Sequence, residues 1–117
     1  MLALAVVLLV LGLLLADLSI YLGARSRAQV AADAAALAAA PVTFRPFGAD
    51  GTAAEEAHRF ASVNGGVLIE CRCSHDRSWR SRTVTVLVSV PADLVLLGST
   101  AATAWSSADF DPIGLGR

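Results

Sequence analysis

The chain has 117 residues, with nine cationic side chains, all arginine, ten acids and a formal net charge of −1. It has no basic run that would follow a phosphate backbone, which excludes nucleic acid as a partner on electrostatic grounds. A hydrophobic fraction of 56% and a mean hydropathy of +0.63 exceed those of ordinary soluble domains, and much of the excess lies in the first 24 residues.

Residues 1–16, MLALAVVLLVLGLLLA, carry no charged side chain. As a helix they extend about 24 Å, short of a bilayer core of about 30 Å. Continuing through LSIYLG to Gly23 supplies the missing length and encloses Asp17. An acid within a span costs roughly 3 kcal/mol on insertion scales, so Asp17 is expected to face a partner or lie near the interface. Tyr21 suits the interface. Three readings compete. A cleaved signal segment wants a positive n-region, and only the α-amino group precedes the apolar run. A buried soluble helix would need apolar surroundings on every side. A retained single-pass membrane anchor is the favoured reading. The orientation signals conflict: the positive-inside rule would keep the Arg25 and Arg27 flank cytoplasmic, whereas the rest of the chain reads as an exported, extracytoplasmic domain.

From Arg25 to Ala40 the sequence is RSRAQVAADAAALAAA. Alanine has the highest helix propensity, and no breaker interrupts the run. Pro41 is expected to end the helix, because the residue before proline avoids the α region. A continuous helix over Leu2–Ala40 would be roughly 58 Å long, with only its first half in lipid. Arg25, Gln29 and Asp33 lie four apart and form a polar stripe. Ala28, Ala32, Ala35 and Ala39 form a stripe almost free of side chain, suited to close approach of another helix. That stripe could serve packing between molecules or packing on the chain's own domain.

The stretch AQVAADAAALAAA (28–40), after a hydrophobic N-terminal helix, resembles the TadE/TadG-like minor pilins, or pseudopilins, of the tight-adherence (Tad, or Flp) pilus and secretion system. It is most similar to the short TadE-like proteins found in actinobacteria beside a secretion ATPase. The residues that carry the resemblance are Arg27, Gln29 and the core Ala31, Ala32, Asp33, Ala34, Ala35, Ala36, Leu37 and Ala38. It covers about the first forty residues well and the remainder only in general layout. The basic leader, processing site and early glutamate of prepilins have no counterpart in these residues. The resemblance implies a non-enzymatic assembly component that packs through Asp17, Gln29, Ala31, Ala32, Asp33, Ala35, Ala36 and Leu37. Its partners would be the membrane and other pilin-like or Tad-system membrane proteins, with no cofactor and no small-molecule substrate.

Residues 42–51, VTFRPFGADG, read as a turn-rich connection. TAAEEAHRFASVNGG (52–66) reads as a short helix with a Thr52–Glu55 capping box and a Gly65–Gly66 stop. Its apolar face, Ala53, Ala57, Phe60 and Ala61, is narrow and suits covering a sheet. VLIECRCS (67–74) alternates with Val67, Ile69, Cys71 and Cys73 on one face. RTVTVLVSV (82–90) alternates with Val84, Val86, Val88 and Val90 on one face and is expected to end at Pro91. The polar link 75–81 makes a hairpin tip. A third strand is expected over about Ser99–Ser106, since two strands alone are barely stable, and DPIGLGR (111–117) is expected to be loose. The fold class is therefore α+β: a long N-terminal hydrophobic helix (1–40), then a domain over 41–117 with a short second helix and a small antiparallel sheet of two or three strands.

Chemistry is sparse. Cys71, Cys73 and His75 stand two apart and could offer soft ligands to zinc, with only His58 or an acid for a fourth. The two cysteines could equally be small buried apolar residues. A disulfide is the third option, because residues two apart on a strand have Cα atoms about 6.5–7 Å apart, at the edge of disulfide geometry. With two histidines, no G-x-S-x-G elbow and no glycine-rich phosphate loop, no catalytic residues are expected. Trp79 and Arg80 at the hairpin tip could meet a partner or fold back on the core. The alternative to the pseudopilin is a secreted binding or effector protein whose first segment is a cleaved signal. A small metal- or redox-dependent enzyme stands third.

Overall fold

The structure, a computed structural model, describes residues 1–44 and 51–116. Helix α1 runs unbroken over Leu2–Val42. Helix α2 covers Ala53–Val63. Strands β1 (Val67–Arg72), β2 (Arg82–Leu94) and β3 (Gly98–Phe110) form an antiparallel meander in that order. The fold is α+β, as expected, and elongated, with extents of 71 × 24 × 17 Å. Most of the 42–51 connection lies outside the described residues.

The two halves of α1 have different surroundings. From Leu2 to Ala16 the helix is almost wholly exposed and apolar on all sides, with Leu4, Leu9 and Leu15 each at least 60% exposed. This part projects about 22 Å beyond the domain. From Asp17 onward one stripe is buried, through Ala24, Ala28, Ala31, Ala32, Ala35, Ala36, Ala39 and Ala40. The i, i+3/i+4 spacing keeps that stripe on one face. It packs on Val84, Val86, Val88, Val90 and Ala92 of β2 and on Ala102, Ala104 and Ala108 of β3. Alanine on the helix lets its backbone approach a sheet whose own residues supply the bulk.

Pro41 does not end the helix as expected; α1 continues one residue further, to Val42. A proline in the last turn forfeits a single intrahelical bond. The turn then tightens, with the Thr43 amide donating to the Ala40 carbonyl (3.3 Å) and the Phe44 amide to that of Pro41 (3.2 Å). The Thr43 hydroxyl adds a bond to the Ala40 carbonyl at 2.7 Å.

The capping box of α2 is present. The Glu55 amide donates to Thr52 Oγ1 at 3.1 Å, and the Thr52 amide to Glu55 Oε2 at 2.9 Å. Ala53, Ala57 and Ala61 are buried. The helix lies chiefly beside α1 and only touches β1, rather than capping the sheet. Gly65 takes φ +79°, and the Gly66 amide closes on the Ala61 carbonyl at 2.9 Å. Gly66 is also a close-approach point: a Cβ there would stand 2.5 Å from Val88 Cγ1 and 3.1 Å from Ala31 Cβ.

Three sheet expectations change. The phase of β1 shifts at Ile69: Leu68 pairs with Val88, but Glu70 pairs with Leu87. This β-bulge turns Val67 and Ile69 outward, 55% and 57% exposed, and leaves Leu68 and Cys71 against the core. Pro91 does not end β2, which pairs with β3 from Arg82↔Phe110 through Pro91↔Ala101 to Leu94↔Gly98. Pairing with β1 stops at Ser89, so on that flank Pro91 interrupts no ladder. β3 is correspondingly longer than Ser99–Ser106. The tail forms a 3-10 turn over Pro112–Gly116, held where Asp111 accepts the Ile113 amide at 3.0 Å.

Candidate functional site

Asp17 is the one acid within the apolar half of the helix, and it is 3% exposed. Its partner is the turn between β2 and β3. Asp17 Oδ1 accepts the Val95 amide at 2.6 Å. Oδ2 accepts the amides of Leu96 at 2.9 Å and Leu97 at 3.2 Å. Three converging N–H groups compensate a carboxylate removed from water. The side chains of the same turn face outward, with Val95 64%, Leu96 45% and Leu97 72% exposed. Within the chain, the partner of Asp17 is 78 residues further along. Sequence reasoning missed this turn. The signal was there, since VLLG after Leu94 puts three apolar residues where a turn is ordinarily polar.

The opposite end of the hairpin is tied to the other end of the helix. The Arg82 guanidinium donates to the carbonyls of Thr43 at 3.4 Å and Arg80 at 3.1 Å, and also to those of Asp76 and Ser78. The Asp76 amide donates to the Thr43 carbonyl at 3.1 Å. Phe44 packs edge-on against Trp79 at 4.9 Å and tilts against Phe110 at 6.1 Å. Trp79 therefore folds back on its own domain while staying 59% exposed. The Ser78 amide and hydroxyl hold the Asp76 carboxyl below its ordinary pKa. The two ties match in length: Asp17 to Phe44 rises about 40 Å along a helix, and a 13-residue strand covers about the same.

Between these ties lie the motif residues. Gln29 Nε2 donates to Asp33 Oδ1 at 2.9 Å and reaches the Trp105 carbonyl at 3.4 Å. Ser106 Oγ donates to Asp33 Oδ1 at 2.5 Å. Ala31, Ala32, Ala35 and Ala36 are fully buried within the chain. Leu37 points the other way, 68% exposed, as does Val30 at 56%. The structure therefore brings Asp17, Gln29, the four alanines and Asp33 onto the hairpin side of α1, and leaves Leu37 outside it.

Cys71 and Cys73 are joined by a disulfide, with Cα atoms 5.4 Å apart. β1 ends at Arg72, between the two cysteines, so they are not held at the spacing of an ideal strand. His58 and His75 are both exposed, and no group of three His, Cys, Asp or Glu able to hold a metal occurs among the described residues.

No curated protein and no solved structure matches the chain. The resemblance read from residues 28–40 has its counterpart in a family match that spans the whole of α1: residues 1–42 match the family described as putative Flp pilus-assembly TadE/G-like.

Proposed function

We propose that this chain is a membrane-anchored TadE-like pseudopilin, a structural or assembly component of a Tad-type pilus or secretion system. The supporting observation is the family match over residues 1–42, which covers both the exposed apolar half of α1 and the half that carries the domain. α1 is long and apolar enough to cross a membrane. Its exposed leucines and valines would each gain about 1.5–3 kcal/mol from burial. In this reading the anchor is single-pass, the domain over 41–117 is extracytoplasmic, and the partners are other pilin-like or Tad-system membrane proteins. The mechanism is association rather than catalysis, with no nucleic acid, cofactor or small-molecule substrate. The rigid tie between hairpin and helix suits such a part, because a force on the domain passes directly to the anchor.

Against the secreted alternative stands Asp17. Cleavage between Ala16 and Ala24 at any point beyond Asp17 would remove the acceptor of three turn amides. The test is extraction of membranes from cells expressing the full chain. Retention through high salt and release only by detergent is expected; release by salt alone overturns the anchor.

A further inference from the structure

We propose that the β2–β3 turn is a second membrane contact, dipping Val95, Leu96 and Leu97 into the lipid beside the helix, with Asp17 serving to satisfy the turn's backbone there. This rests on the anchored reading above.

The argument is one of level along α1. The turn meets the helix at Asp17. The outward helix surface stays apolar beyond that level, with Leu18 and Leu22 each 52% exposed. The first solvent-facing charges on the helix are Arg25 and Arg27, about 12 Å and 15 Å further along the axis. A lipid surface that covers Leu18 and reaches its headgroup zone at Leu22 therefore also covers the turn. The turn's exposed side chains and those of the helix then form one continuous apolar collar.

Backbone chemistry supports the same occupant. An unpaired N–H in hydrocarbon costs several kcal/mol, which normally keeps turns out of lipid. Here the three turn amides are satisfied by one carboxylate, and the Ser19 hydroxyl on the same helix segment donates back to the Leu15 carbonyl at 3.0 Å. Depth is limited by Asp93, which accepts from Ser99 Oγ at 3.1 Å across the base of the hairpin. Asp93 lies two residues above Val95, about 7 Å along a strand, and belongs with the headgroups. Tyr21, one turn above Asp17, lies at the same height and suits that zone. The insertion is shallow and confined to the three turn residues.

Tryptophan quenching by brominated lipid tests this on the full chain in phosphatidylcholine vesicles. With Trp79→Phe and Trp105→Phe as background, single reporters are Leu97→Trp and, independently, Val95→Trp. Leu9→Trp reports the anchor, and native Trp79, kept alone in Trp105→Phe, reports the distal end. Quenching of Leu9→Trp and of both turn reporters by at least half is expected, the turn reporters most strongly with bromine near the headgroup end of the acyl chain and Leu9→Trp with bromine deeper along it, with Trp79 unquenched. If Leu9→Trp is quenched and both turn reporters are not, the turn faces water or a protein neighbour, and the proposal fails while the anchor stands. If Leu9→Trp is also unquenched, the anchored reading itself falls.

Discussion

The carboxylate of Asp17 accepts the backbone amide of Val95 at 2.6 Å, across 78 residues of chain. An acid in the otherwise uncharged first half of the helix looks from sequence like a contact waiting for another molecule. In the folded chain it is the joint between helix and hairpin.

Removing that joint should loosen the turn before it unfolds the domain. Asp17→Ala leaves three amides without their acceptor and is expected to cost about 3 kcal/mol. Hydrogen exchange at Val95, Leu96 and Leu97 is the direct readout, with protection falling in Asp17→Ala and partly kept in Asp17→Asn. Unchanged protection would show that the carboxylate does not hold the turn.

The alanine stripe should behave as a core and not as a free docking face. Ala32→Leu or Ala35→Leu would force a branched side chain against the valines of β2, costing about 1–3 kcal/mol or more. Gly66→Ala belongs to the same class, because its Cβ would meet Val88 Cγ1 at 2.5 Å. Leu37→Ala, on the exposed side, should change domain stability by no more than about 0.5 kcal/mol. Denaturant unfolding in detergent separates the two groups; equal effects would contradict the assignment of faces.

Arg82 draws the 73–81 loop onto the end of α1 through four carbonyls. A lysine cannot reproduce that spread of donors, so Arg82→Lys should speed proteolysis of this loop while leaving the helix intact. Asp76 adds a pH dependence. Its carboxyl is held below the ordinary value by Ser78, so its contribution is present above the unfolded value of about 3.9 and is lost as pH falls through the lower folded value. Loop protection measured by proteolysis with an acid-active protease should therefore persist at pH 4 and weaken below it, and Asp76→Asn should flatten that profile.

The Cys71–Cys73 bridge closes a very short loop, for which chain-entropy arguments give only about 1–2 kcal/mol. Protein isolated from an oxidising compartment should resist alkylation until reductant is added. The double serine variant should fold with a small loss of stability. Free thiols in protein isolated that way would count against export of the domain.

Much of this architecture is legible in local pattern. An uncharged stretch, then alanine without a breaker, specifies one long helix; Thr52 and Glu55 specify the start of the next. The alternation of Val84, Val86, Val88 and Val90 specifies a strand with one buried face. These are short-range properties, set by propensity, capping and period. What covers each face is not. Whether the alanine stripe meets another molecule or this chain's own sheet depends on where the hairpin docks, and so does the partner of Asp17. The bulge at Ile69, which reverses the outlook of Val67, and the continuation of β2 through Pro91 depend on the register between strands. Each of these is decided by pairing and burial between residues far apart in the chain, a free energy that no local window of sequence contains.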